Sequence, residues 1–417
     1  MNIRKLMLIT FLSVCSWASA QERTAGDALL LAQQFVDEKF GVALTKGKGE
    51  KLTTCLNDST SGCYIFNVEQ NNGWVIVSRS TSAYPVLAFS DRGSLRKSSM
   101  PPNMSEWLEE YDRQQAWFAA QDADAENDKT YDWTDIAPML TTEWGQRAPY
   151  NLMLPLLPVQ NDTETRVHAA AGCVTTALCQ VMYFHQWPKS TDKPIPYEMN
   201  KYLTNKYSVE LDDLPVTDFD WEKMCDTYSE NDTSESALEV AKLMRYVSQA
   251  VPIFYTPTES PGRFNKATLV DYFGYDDSLT MLNLSRSYDE WEEYVYAELS
   301  EGRPVLTSGG PHAFVCDGYQ ADGFFHFNWG WDGWANGYYR TTAMILTLRD
   351  GRCYNFGEFN DLLIGIRPSE NGEEASITQT DMPISTTESY IDLTGRRLAH
   401  PNNRGLYIKN GEKYISR

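Results

Sequence analysis

Apolar positions recur along the chain with two periods, and together they predict a mixed α+β protein of more than one folded unit. Near the N-terminus, Ala28, Leu29, Ala32, Phe35 and Val36 fall three and four residues apart behind Gly26-Asp27. That spacing predicts a helix with Asp27 as its N-cap. Tyr64 to Val68 and Trp74 to Val77 are strand-like runs on either side of Asn71-Asn72-Gly73, which reads as a hairpin turn. A further strand is predicted over Tyr84 to Phe89 and a further helix over Met104 to Ala120. In mid-chain Val174, Leu178, Val181 and either Met182 or His185 return as one helical face. Ala313 to Tyr319 and Phe324 to Trp329 predict two strands around a polar turn at Gln320 to Gly323. The chain ends in short strand-like runs, Tyr390 to Leu393 and Gly405 to Lys409.

Stretches without periodicity divide this pattern. Residues 121–130 are small and acidic, which predicts an exposed, protease-accessible linker; residues 369–388, rich in Ser, Thr and Glu, read as a second linker. At the start, Arg4 and Lys5 precede a short apolar run from Leu6 to Trp17 and then Ala18-Ser19-Ala20, the form of a cleaved secretory signal. The run is short for a membrane span, and Val14 is too large for a lipoprotein site at Cys15. The expected organisation is therefore a signal peptide over 1–20, a small α+β unit over 21–130 ending in the acidic linker, a main unit over 131–368, and a linker and β-rich tail over 369–417. The tail is too small to be stable without help.

Composition narrows the function classes. A hydrophobic share of 42% and an aromatic share of 13% supply real cores. A net charge of -21 argues against nucleic acid as a partner, and no later stretch is long and apolar enough to span a membrane. Of the eight cysteines, Cys15 lies in the leader. The other seven (Cys55, Cys63, Cys173, Cys179, Cys225, Cys316, Cys353) are an odd number, so an exported chain keeps at least one thiol. Cys55 and Cys63 are close enough in sequence to pair; most of the set can equally be small buried hydrophobes.

Gly172 precedes Cys173 at the predicted start of the mid-chain helix. There the helix dipole and free N–H groups favour a thiolate, and the glycine leaves room for a substrate. A structural cysteine would more naturally sit mid-helix on the apolar face, as Cys179 does in this pattern. A metal site from His168, Cys173, Cys179 and His185 fails: six residues along a helix turn roughly 240°, so the last three diverge. No metal and no cofactor is expected. A nucleophilic cysteine needs a base, and there are five histidines. His312 opens the strand entered from Gly309-Gly310-Pro311. An antiparallel return would bring Asn328 to Trp331 back beside it, where Asn328 could orient the imidazole and Trp329 shield that bond. His326, alternating among phenylalanines, reads as a core or sheet histidine.

Four ordered motifs carry a resemblance. They are Thr141-Thr142-Glu143-Trp144-Gly145-Gln146 with Ala148-Pro149-Tyr150-Asn151; the Ala171-Gly172-Cys173-Val174 helix ending in Trp187-Pro188; His312-Ala313-Phe314-Val315; and Phe327-Asn328-Trp329-Gly330-Trp331-Asp332-Gly333. Through them the chain resembles the streptopain/interpain-like family of secreted papain-fold cysteine proteases over most of residues 26 to 368. The resemblance implies a helical side carrying Cys173 as nucleophile against a β side carrying His312 as base, with Gln146 as oxyanion donor. It also implies that residues 21–130 are an inhibitory propeptide. Cleavage in the acidic linker would relieve a displaced His312 or a blocked cleft. The implied partners are protein or peptide substrates and the chain's own propeptide; the implied site is extracellular. The tail from about Tyr390 separately resembles short C-terminal segments on secreted proteins of some Gram-negative bacteria, so a sorting or surface-retention role is expected of it. A thiolate–imidazolium pair formed before substrate arrives is expected, and the loop Tyr255 to Gly262 either shapes the cleft or is a surface turn. Pro311 stands where the family usually has glycine, and the cysteines outnumber those of streptopain. A thiol amidase of cell-wall peptides and a degenerate binding module are the rival readings.

Overall fold

A computed structural model describes residues 22–40, 52–56, 61–100, 102–119, 132–159, 162–197, 211–283, 288–309, 312–342 and 359–369, with four tail segments at 390–392, 397–398, 405–409 and 412–416. The predicted leader, the acidic linker, Cys353 and His400 lie outside the described residues.

The N-terminal elements are α1 (Ala25–Lys39), β1 (Leu52–Leu56), β2 (Cys63–Val68), β3 (Trp74–Ser78), β4 (Val86–Ser90) and α2 (Pro102–Ala119). Thr24, not Asp27, caps α1. The Thr24 hydroxyl accepts from the Asp27 N–H while the Asp27 carboxylate accepts from the Thr24 N–H, because Asp27 falls at the third helical position of a capping box. Ala28, Ala32 and Val36 are the buried face; Leu29 is exposed. β2 and β3 pair as the expected hairpin, their connection holding a 3-10 turn over Glu69–Asn71 with Asn71 left-handed (φ 60°).

In the main unit, β5 (Leu156–Val159) and β6 (Asp162–His168) form a separate hairpin ahead of α3 (Cys173–His185). Then come α4 (Glu235–Ala250), α5 (Lys266–Phe273), β7 (Thr280–Asn283) and α6 (Tyr288–Ser300). The last strands are β8 (Val305–Gly309), β9 (His312–Gln320), β10 (Phe324–Asn328), β11 (Gly337–Tyr339) and β12 (Phe359–Ile364). Residues Val174 to Met182 are buried without a break, Thr175, Thr176 and Gln180 among them, so α3 is a core helix buried on every side and not an amphipathic surface one. It packs on β9 within one core; a second core, rich in aromatics, lies between α2, α6 and the strands.

The two predicted units share one sheet. Its antiparallel order is β1-β2-β3-β4-β11-β10-β9-β8-β12-β7, and Tyr338 and Tyr339 of β11 pair with Phe89 and Ala88 of β4. From α2, Trp107 sets its ring 5.2–6.3 Å from those of Phe314, Phe327, Trp329 and Tyr339. The tail contributes its own four-stranded sheet from β13 (Tyr390–Asp392), β14 (Arg397–Leu398), β15 (Gly405–Lys409) and β16 (Glu412–Ser416). Among the described residues no helix is long and apolar enough to cross a membrane.

Candidate active site

Gly172 caps α3 with φ 81°, and a side chain there would run into the Ser260 carbonyl, so only glycine fits. Cys173 follows, half-buried. The N–H groups of Ala313, Val174 and Cys173 itself lie on the side of the sulfur and favour its thiolate. Ala313 is the second residue of β9, so the strand that begins at His312 is packed against the nucleophile's end of α3. Burial pushes the Cys173 thiol up, these N–H groups pull it back, and the charge of Glu259 adds to the burial. Cys179 and Cys316, wholly buried, are pushed up much further by burial, which suits inert core thiols.

His312 is buried, its ring stacked 5.9 Å from Trp331 and tilted 6.2 Å from Trp329. Its Nε2 lies 2.9 Å from the main-chain carbonyl of Trp329. A carbonyl only accepts, so Nε2 carries the proton and Nδ1 keeps the lone pair. Burial holds the imidazole down to about 4, against the raising effect of that carbonyl. Burial thus favours the neutral form of both groups. That direction runs against the ion pair expected from the sequence. Gly310 and Pro311 lie outside the described residues, and Gly309 and His312 pair directly across β8 and β9.

The return strand does bring 328–331 beside His312, but the expected bond from Asn328 is made by Trp329's carbonyl. The Asn328 amide is committed elsewhere: Nδ2 donates to Thr142 O (2.7 Å), and Oδ1 accepts from Gln180 Nε2 (3.2 Å) and Gly330 N (3.2 Å). Asn328 therefore ties the return turn to α3 and to the strand-like segment before Gln146. Gln146 itself is anchored by Ala171 N–H donating to its carbonyl (2.9 Å), two residues before Cys173. Its side-chain Nε2 is buried without a hydrogen-bond partner among the described residues, an arrangement that suits a donor kept for an incoming oxygen.

The remaining described histidines are structurally occupied. His168 Nδ1 bonds Leu154 O, His185 Nδ1 bonds Tyr275 Oη, and His326 Nδ1 lies 2.6 Å from Asp317 Oδ1. No group of His, Cys, Asp and Glu able to hold a metal occurs among the described residues. Sequence reasoning missed the Ala313 N–H, the Trp331 stack and the Gln180–Asn328–Thr142 network. Main-chain donors leave no mark on composition, and Gln180 shows itself only as an amide between Cys179 and Val181 on a mostly apolar helix.

A buried helix that opens at Cys173 and packs against the strand opened by His312 is the arrangement of the papain-like fold class. The chain belongs to the Peptidase C10 family of cysteine proteases, whose model matches residues 144–339, and a Spi protease inhibitor domain matches residues 20–115. It is 30% identical to the thiol protease/hemagglutinin PrtT of Porphyromonas gingivalis over 79% of this chain and 40% of that protein. It is 27% identical to streptopain of Streptococcus pyogenes over 74% of this chain and 82% of the relative. A fragment of Prevotella intermedia prointerpain A superposes with a TM-score of 0.62 at 26% identity, covering 76% of this chain and all of the fragment. The chain spans well under half the length of the PrtT relative.

Proposed function

We propose that the chain is the zymogen of a secreted endopeptidase that hydrolyses protein substrates by acyl transfer. The observation that carries this reading is the meeting of the α3 N-terminus with the start of β9: Cys173 packs in one core with Ala313, the neighbour of His312. In this reading Nδ1 of His312, left as the lone-pair nitrogen by the Trp329 carbonyl, takes the thiol proton as Cys173 attacks the peptide carbonyl. The oxyanion is received by Gln146 Nε2 and the helix-terminal N–H of Cys173. The imidazolium then protonates the leaving amine, and water releases the acyl-enzyme.

The inhibitor-domain match and the prointerpain neighbour support intramolecular inhibition by residues 21–130, ahead of a catalytic unit over 131–368. The contact of Trp107 with Trp329, whose carbonyl holds His312, supports a latch acting on the histidine side of the cleft. Secretion is supported by the leader and the family; surface retention through 369–417 rests on the resemblance of the tail from about Tyr390 to short C-terminal segments of secreted proteins, and unchanged localisation after its deletion would remove it.

The deciding experiment compares residues 21–417 with the same chain carrying Cys173→Ala, under reducing conditions. The wild type is expected to lose a segment of about 11–13 kDa, the size of a small domain, and to digest casein. The variant should do neither. A wild type still inert after an added protease has cut residues 121–130 would defeat the reading in favour of a binding module. Cleavage of wall peptides without caseinolysis would point to an amidase.

A further inference from the structure

The loop from Tyr255 to Gly262 is built against the nucleophile's helix. Ala170 N–H donates to Thr256 O (3.0 Å), and the Ser260 carbonyl occupies the space that a side chain on Gly172 would need. Within the loop, Thr256 N–H donates to Ser260 Oγ (3.1 Å) and Glu259 N–H to Thr256 Oγ1 (2.9 Å). From outside, Arg147, next to Gln146, clamps it by donating to the carbonyls of Pro257 and Thr258. A surface turn would not need this many ties to the residues flanking Gln146 and Cys173.

Glu259 sits at the crest of this loop, one residue from the contact with Gly172. Its side chain is exposed and forms no ion pair among the described residues, the nearby Arg147 being spent on main-chain carbonyls. Its charge reaches the Cys173 sulfur, where it opposes the thiolate. An acid at this place makes the chemistry harder unless something cationic arrives with the substrate. We propose that Glu259 is a specificity-determining residue of the cleft, selecting peptides that bring a lysine, an arginine or a free amino terminus beside the scissile bond. This rests on the peptidase reading above and names its substrate class. The cation both binds Glu259 and removes the charge that disfavours the attacking thiolate.

Two measurements separate this proposal from the reading it rests on. In the first, the full chain is labelled at Cys173 with methanethiosulfonates of matched size carrying positive, neutral and negative charge. The rate is read by mass spectrometry of the Cys173 peptide, which needs no peptidase activity. The positive-to-negative rate ratio should be roughly ten-fold in the wild type and fall three-fold or more in Glu259→Gln, on the order expected for one charge a few ångströms away at the surface. Glu222→Gln, which removes the same charge from the 221–223 turn, should leave the ratio unchanged. In the second, the chain nicked within 121–130, both fragments retained, is given peptide pairs differing by Lys against Gln at each of three positions on either side of the cut. At one or more positions Lys should be preferred about five-fold in kcat/KM, the preference vanishing in Glu259→Gln and reversing in Glu259→Lys. A labelling ratio or a Lys preference indifferent to Glu259→Gln overturns the proposal while leaving the peptidase intact. Failure to cleave any peptide, with the labelling ratio still set by Glu259, would overturn the peptidase reading and leave a cation-selecting cleft.

Discussion

Two seams meet the β9–β10–β11 strands, and they are built differently. On one, α3 and the segment before Gln146 join the sheet through buried polar bonds. Gln180 Oε1 accepts from Thr142 Oγ1 (2.8 Å), its Nε2 donates to Asn328, and Asn328 donates to Thr142 O. Thr142, Gln180 and Asn328 are all buried, so each bond is directional and none is replaceable by water. On the other seam, the inhibitor domain meets β11 through two ladder pairs and the aromatic face of Trp107. Arg340 adds bonds to the carbonyls of Val86 and Leu87 and lies over the rings of Tyr84 (3.9 Å) and Phe324 (4.3 Å). At the rim stand the pairs Arg92–Glu143 and Lys39–Asp322. A network of amides fixes atoms to within tenths of an ångström; apolar rings mainly exclude water and tolerate parting. The first seam suits a site that must hold its geometry, the second a cover that comes off.

The comparison predicts where each seam breaks. Trp107→Ala should cost the most, about 3–5 kcal/mol, since a buried tryptophan is lost from a full cavity. Urea unfolding of the chain in a Cys173→Ala background, which prevents self-cleavage, measures it. Nicked Trp107→Ala protein should also shed its N-terminal fragment more readily. A loss under about 1 kcal/mol would mean that the rings are not what holds the cover. Asn328→Ala comes next, about 2–4 kcal/mol in the same assay, because Thr142 O and the Gln180 amide are left buried and unpaired. Its second consequence separates the seams: the nicked enzyme should lose peptidase activity, whereas Trp107→Ala should not lower it.

The same contrast explains what could be read from the sequence. The buried face of α1 was legible because one-sided burial imposes a period, whereas α3 and the β9–β10 return, buried throughout, were legible as apolar runs bounded by glycine and a polar turn. The motif resemblance gave the family, which the C10 and Spi matches show. Missed were the continuation of one sheet across both units and strand β1, since pairing partners distant in sequence leave no local pattern. The orienter of His312 was misassigned to Asn328 because a side-chain amide is visible in a sequence and the Trp329 carbonyl is not. Cys55 and Cys63, close enough in sequence to pair, are both free thiols.

His312 tests whether the cover keeps the site neutral. Its folded value of about 4 lies below the ordinary histidine range. Between the two values the unfolded chain binds a proton that the folded chain refuses, so this contribution to stability is lost as pH falls. From pH 7 to pH 5 the loss should be about 2 kcal/mol, given one proton and that interval. His312→Gln in the Cys173→Ala background should remove that slope while other groups, Asp112 and Asp332 among them, titrate as before. Histidine NMR should show a neutral ring with the proton on Nε2 at pH 5.5. A charged ring there would contradict the carbonyl-held imidazole.

The smallest effect belongs to the rim. Arg92 Nη1 lies 3.3 Å from Glu143 Oε1, with the arginine side chain 66% exposed and the glutamate 36%. Two long side chains must be held in one geometry in water, and salt screens the attraction, so Arg92→Ala should cost at most about 0.5 kcal/mol of precursor stability. Its effect should instead appear in kinetics. Glu143 belongs to the catalytic side and Arg92 to the cover, so the pair steers one onto the other. Rebinding of the isolated N-terminal fragment to the nicked enzyme should slow two- to five-fold in Arg92→Ala at low salt, and the difference should vanish near 0.5 M salt, where screening is short-ranged. A stability loss comparable to that of Trp107→Ala would show that the rim, and not the aromatic face, holds the cover, and the distinction between the seams would have to be redrawn around charge.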